Sequence, residues 1–217
     1  MTGDVSESLR RRILTEQFHP GERLPVEEIA REMGVSVAQA RTAIHRLAEE
    51  GLIEIRPRSG SYVSDLTIND IEETTAIRCS LESLAAESAV ARITPAQLLR
   101  FEQLVNDLAA PVDTNEDRVR HEARNYELHR LLIESSGNRR LSELYDVLKS
   151  HMQVLRVLAV GKLDWRRRLP DEQVEHEEML AALQSRDRER LVAVVRRHIE
   201  RSKIAMIRAL SGGSHGS

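Results

Sequence analysis

A chain of 217 residues with 41% hydrophobic, 31% charged and only 3% aromatic residues can bury an aliphatic core, as one large domain or two modest ones. Its single cysteine, Cys79, excludes an internal disulfide and a paired-cysteine metal site, and predicts a reducing, cytoplasmic setting. No run of about 18 apolar residues occurs and no charged-then-apolar leader opens the chain, so neither a membrane span nor secretion is expected. The net charge of −3 does not by itself advertise a polyanionic partner.

In chain order, Leu9, Ile13 and Leu14 form an apolar stripe at helical spacing, predicting a first helix from about Asp4 to Gln17 that His19-Pro20-Gly21 breaks. Pro25 opens a second helix near Val26 to Met33, with Ile29, Ala30 and Met33 turned inward and Gly34 at its end. Ser36 and Gln39 make a capping-box pattern for a third helix, which buries Ile44 and Leu47 and stops at Gly51. Leu52 to Ile55 and Ser61 to Val63 are β-prone, with Pro57, Ser59 and Gly60 between them, so a hairpin follows. That order of elements is a winged helix-turn-helix, expected over residues 1–66, and the first functional hypothesis is binding to double-stranded DNA.

A helix that enters the major groove needs one buried face and an opposite polar face. The outward residues of the third helix are Ser36, Gln39, Arg41, Thr42, His45 and Arg46. Arg41 can fork onto guanine or phosphate and Gln39 can pair with adenine, while Arg56 and Arg58 on the wing would reach a neighbouring groove or the backbone. The plainer reading is that each arginine merely solvates a helix or a turn. Residues 1–66 hold nine Arg against eleven Asp or Glu, a net charge of −2, so placement and not bulk charge must carry DNA binding.

Beyond Asp65 the texture is continuously helical. Thr67 to Asp70 caps a helix reaching about Arg92, and Thr94-Pro95-Ala96-Gln97 starts the next. Pro111 to Asn115 is a loop, followed by helices near Glu116 to Ser135 and from about Asn138 to Val160. Gly161 to Pro170 reads as a break and Asp171 to Gln184 as helical; Asp187 caps a final helix to about Leu210, before an aperiodic tail over 211–217 that is expected to be disordered. Six helices suit an antiparallel bundle over 67–210, making the whole chain mainly α.

Asn125 and His129 stand four apart on one helix face, and His176 and His198 come from the last two helices. Such positions can converge in a bundle core, where three imidazoles suit Zn, Ni or another first-row metal. His121 and His151 are rival ligands, and Glu175 or Glu177 could support the ligands from behind. Against this, a lone helical histidine is more often a surface or hydrogen-bonded residue, and the chain has eight.

PGERL, EEIAREMGVS, R-x-A-I-x-R-L-x-x-E-G-L-I and R-P-R-S-G-S-Y-V resemble the N-terminal domain of GntR-family bacterial transcription regulators, nearly continuously over residues 8–65. The resemblance implies operator contacts from Ser36, Arg41 and the wing around Arg58 and Gly60. Val37 stands where the family usually carries an arginine, and Ala38-Gln39 where it often has Thr-Pro. N-Y-E-L-H-R-L-L-I-E-S-S-G-N-R-R-L, V-E-H-E-E-M-L-A-A-L-Q-S-R-D and V-R-R-H-I are similar to the all-helical effector (FCD) domain of the FadR subgroup, in its shorter six-helix form. That similarity implies a divalent metal, zinc first with nickel or manganese as alternatives, on Asn125, His129, His176 and His198, with Asn a weaker ligand than the family's Asp. It also implies a small organic acid effector met by Arg78, with Arg156 as a second candidate; the plain alternative for Arg78 is an ion pair with Glu82 at i+4. The chain is then expected to be a cytoplasmic, homodimeric, ligand-responsive regulator, most simply a repressor of a metabolic operon, and not an enzyme. A DNA-binding regulator without metal or effector is the other reading, and a helical metalloenzyme would have no use for a winged head.

Overall fold

The computed structural model describes residues 5–14, 17–65, 67–148 and 165–212, in two units of which the first reaches Thr67 and the second begins at Ile68. In the first, helix α1 (Val5–Leu14) buries Leu9 and Ile13 and packs on α3 (Val37–Glu49), as does α2 (Val26–Met33) through Ile29 and Ala30. Met33, expected in that core, is half-buried at the last turn of α2. The next residue, Gly34, adopts φ 64° and returns its N–H to the carbonyls of Ala30 and Arg31, a left-handed cap that favours glycine. The capping box of α3 forms as expected: Ser36 Oγ accepts from the Gln39 N–H (3.2 Å) and Gln39 Oε1 accepts from the Ser36 N–H (3.0 Å). Ala40, Ala43, Ile44 and Leu47 form its buried face, leaving Arg41, Thr42, His45 and Arg46 exposed.

The wing departs from a two-stranded hairpin. Arg23–Leu24 forms a strand, β1, and the antiparallel sheet runs β1-β3-β2, with β2 at Ile53–Arg56 and β3 at Gly60–Val63. Two residues between Gly21 and Pro25 are too few to show strand periodicity, and the free edge of β3 recruits them through the pairs Arg23↔Tyr62 and Leu24↔Ser61. Arg56, expected near the tip, ends β2 opposite Gly60. Gly60 itself has φ 126°, and a Cβ there would lie 3.2 Å from Nε of Arg23, so only glycine suits the position.

The second unit holds α4 (Ile68–Arg92), α5 (Pro95–Leu108), α6 (Asn115–Ser135), α7 over residues 139–148, α8 (Trp165–Gln184) and α9 (Arg188–Gly212). Thr94 with Gln97, and Thr114 with Asp117, close capping boxes on α5 and α6. Helix α4 packs on α6 and α9, α5 on α6 and α8, and α8 on α9, around Phe101, Leu104, Leu128, Leu132, Met179, Leu183 and Val195. The expected break at 161–170 is overturned over its described part, because α8 begins at Trp165 and runs through Pro170. That proline forfeits only the bond to the Arg166 carbonyl near the helix start. The Arg168–Glu172 ion pair (2.7 Å) straddles it and holds both sides in one helix. Helix α9 carries on through Ser211 and Gly212, where the sequence places the start of a tail. Residues 213–217, the continuation of α7 towards Val160, and with it His151 and Arg156, lie outside the described residues. No helix among the described residues is long and apolar enough to cross a membrane.

Candidate metal centre and nucleic-acid interface

Helices α6, α8 and α9 turn His129, His176 and His198 into the core of the second unit, and α6 buries His121 as well. His129 sits among Leu128, Leu131 and Leu132, His176 three residues before Met179, and His198 between Val195 and Ile199, so the apolar stripes that bury the helices bury the rings too. One ring nitrogen from each of His129, His176 and His198 lies within 4.8 Å of the others.

The hydrogen bonds behind the rings fix which nitrogen faces inward. Nδ1 of His129 is 2.8 Å from Oε2 of Glu82, and Nδ1 of His198 is 3.1 Å from Oε2 of Glu175. A carboxylate only accepts, so each Nδ1 carries the proton, and in a neutral ring Nε2 then holds a bare lone pair. Those two Nε2 atoms face each other at 3.1 Å. That contact is satisfied either by a proton, with a charged His129 donating to neutral His198, or by an ion held between two lone pairs. Two nitrogens bound to a common ion at about 2.0–2.1 Å each stand about 3.0–3.4 Å apart, which the observed separation fits. His176 is fully buried, yet neither ring nitrogen has a hydrogen-bond partner. Burial first, and the neighbouring imidazoles second, hold His176 and His198 well below the usual histidine range, so both are neutral and competent as ligands.

Asn125, one turn before His129, is also fully buried. Its Nδ2 donates to Oε1 of Glu172 (2.8 Å), which leaves Oδ1 without a partner. Three imidazoles and an amide oxygen form a borderline N/O donor set suited to Zn, Ni or Mn. His121, the rival ligand, stands 3.9 Å from Glu172 Oε1 and is not one of the three converging histidines. Glu177 is exposed and accepts from Gln173 (3.0 Å), so it gives the histidines no support, whereas Glu175 orients His198 and not its own neighbour His176.

The plain alternative for Arg78 is present: its Nε donates to Oε1 of Glu82 at 2.6 Å, with both side chains buried. Its Nη2 nonetheless has no partner. The Tyr145 hydroxyl donates to the same Oε1 (2.8 Å). Burial alone would push Glu82 up, but the Arg78 charge, together with the hydrogen bond from His129, outweighs it and holds the carboxyl well below its ordinary range. Burial likewise opposes the charge on Arg78, and Glu82 reverses that. Glu172 and Tyr145 carried no signal in the sequence, and Glu82 showed only its i+4 spacing from Arg78.

On the first unit, Arg41 pairs with Glu27 (3.4 Å) and Arg46 with Glu50 (3.9 Å), and His45 is exposed. Arg56 is gripped by Glu54 (2.8 Å) and lies 4.4 Å over the Tyr62 ring. Arg58, at φ 60° on the turn beyond it, pairs with none of the described residues. A left-handed arginine at a solvent tip is strained, and such strain concentrates at functional sites. Arg23, brought over Gly60 by the unforeseen β1, adds a further cation to the wing.

The model for the gntR family of bacterial regulatory proteins matches residues 1–63, and the FCD domain model matches residues 73–201. The HTH-type transcriptional repressor RspR of Escherichia coli (strain K12) is 27% identical over 195 residues, covering 88% of this chain and 82% of that one. Among solved structures, McbR/YncC of E. coli superimposes with a TM-score of 0.76 at 20% identity, over 97% and 100% of the two chains. A metal-free FCD domain gives a TM-score of 0.55 at 22% identity, over 69% of this chain and 99% of that one. Similarity at these identities shows a shared fold. With a winged head and a six-helix unit matched in tandem, the chain belongs to the GntR family of bacterial regulators, as a DNA-binding transcription regulator with an FCD domain and not an enzyme.

Proposed function

We propose that this regulator is a cytoplasmic homodimer that represses a metabolic operon until a small carboxylate binds beside a metal ion in its helical domain. Residues 1–66 serve as the DNA-binding head and 67–210 as the effector-binding and dimerisation domain. The observation that carries the metal reading is the convergence of one ring nitrogen from each of His129, His176 and His198 to within 4.8 Å of one another, with both nitrogens of the buried His176 unpartnered. Asn125, His129, His176 and His198 would hold the ion, zinc first and nickel or manganese as alternatives. The ion supplies a Lewis-acid position for an anionic ligand. Four neutral ligands leave its charge undiminished, which favours an acid effector, and the unpartnered Nη2 of Arg78 offers that acid a charged donor. Calorimetry on metal-loaded protein should detect carboxylate binding that disappears in His176→Ala and His198→Ala; no binding by the loaded wild type, or full binding by both variants, sinks this reading.

For the DNA face, Arg41, His45 and Arg46 on α3 and Arg56, Arg58 and Gly60 on the wing are the proposed contacts, with Ser36 at the N-cap. Gln39 is committed to the cap through Oε1, so pairing its amide with adenine requires opening the box. Glu27 is a weak competitor for Arg41, since both side chains are more than half exposed (63% and 73%) and such pairs contribute little. Arg41→Ala is therefore expected to abolish specific operator retention in a gel-shift assay. Retention equal to wild type would place the recognition face elsewhere.

A further inference from the structure

Glu82 ties together three buried polar groups around the histidines. It is fully buried on α4 and divides its two oxygens between different jobs. Oε2 faces Nδ1 of His129 on α6 at 2.8 Å. Oε1 accepts two donors, Nε of Arg78 one turn earlier on α4 (2.6 Å) and the hydroxyl of Tyr145 on α7 (2.8 Å).

We infer that Glu82 is a positioning residue of the metal centre: it fixes the tautomer of His129 so that Nε2 offers its lone pair to the ion, and with its other oxygen it holds the guanidinium that meets the effector. The inference rests on the metal reading above. A neutral imidazole has one N–H, and a carboxylate oxygen cannot donate, so the proton on His129 is drawn to Nδ1. Outer carboxylates that orient metal-bound histidines in this way typically set affinity as well as geometry. One carboxylate thus links a metal ligand on α6, the effector-facing Arg78 on α4 and Tyr145 on α7, and disturbing one of these contacts is felt by the others.

Glu82→Gln separates this role from simple space-filling. Glutamine has nearly the same shape, but only one of its two terminal atoms accepts. Arg78 and Tyr145 both donate, so the amide oxygen stays with them and the NH₂ group turns to His129. Nδ1 must then accept, the ring proton moves to Nε2, and the nitrogen facing the metal is blocked. Long-range ¹H–¹⁵N spectra of the metal-free full-length protein should show His129 protonated at Nδ1 in wild type and at Nε2 in Glu82→Gln. Zinc affinity, read by chelator competition, should fall about 10–100-fold. Where Glu82→Gln does not fold, Arg78→Met with Glu82→Gln carries no unpaired buried charge and makes the same tautomer prediction, since Tyr145 remains the donor. An unchanged tautomer, or a changed tautomer with wild-type zinc affinity, overturns the inference. The control is His129→Ala: zinc binding as tight as wild type there overturns the metal reading and the inference with it, whereas weakened binding there with wild-type affinity in Glu82→Gln overturns the inference alone.

Discussion

Replacing Arg78 with alanine should lower the unfolding free energy of the helical unit by about 3–5 kcal/mol, read from urea denaturation followed by circular dichroism. Arg78 and Glu82 are 3% and 0% exposed, and their side chains meet at 2.6 Å. Removing one partner leaves a carboxylate in the core with only Tyr145 and His129 to compensate it. The pair as a whole is a different matter, because taking two charges out of water costs about what their attraction returns. Arg78→Met with Glu82→Gln should therefore lose far less than Arg78→Ala alone, and a double-mutant cycle would give the coupling directly. If Arg78→Ala unfolds like wild type, Glu82 has solvent or another cation within reach and its burial is misjudged.

Such expensive charges in a core ask for a reason beyond stability, and the hydrogen bonds supply one. Three of the four candidate ligands are each turned by a carboxylate: His129 by Glu82, His198 by Glu175 and Asn125 by Glu172. In each case the carboxylate takes the donor side of the group, and in Asn125 this leaves Oδ1 without a partner. The asparagine at 125 then has a local explanation. An aspartate there would set its carboxylate against Glu172, which already engages Arg168 through its other oxygen (2.7 Å). A neutral amide avoids that repulsion and still offers Oδ1.

The residues that could be read from the chain were those whose role is written in local spacing. The Ser36–Gln39 and Thr94–Gln97 boxes, the apolar stripe of α3 and the four-residue step from Asn125 to His129 all follow from helical periodicity. The three histidines could be grouped because they fall on the buried faces of helices that a bundle must bring together. What could not be read was set by long-range partners. Strand β1 exists because β3 has an edge to offer, Tyr145 reaches Glu82 across 63 positions, and Glu172 meets Asn125 across 47. Pro170 was read as a break from its own chemistry, whereas the ion pair across it is a property of the folded helix.

His176→Leu should make the metal-free protein more stable than wild type and the metal-loaded comparison the reverse. Both nitrogens of His176 are buried without partners, a condition worth about 1–3 kcal/mol of destabilisation, and leucine fills a similar volume with no polar atom to satisfy. Wild-type protein, by contrast, can recover that loss from an ion. Zinc at a free concentration about 100 times its dissociation constant should add about 2.7 kcal/mol. For a chain of this size that raises the melting temperature of the helical unit by about 5–11 °C, and a chelator should reverse it. The leucine variant should show almost none of this rise, having lost the ligand that no carboxylate constrains. A zinc response of wild-type size in His176→Leu would remove His176 from the ligand set. A metal-free variant less stable than wild type would mean that the two nitrogens find partners, such as buried water, in solution. The histidine is thus expected to weaken the empty domain and strengthen the loaded one, the differential a ligand needs if it is to shift the regulator between two states.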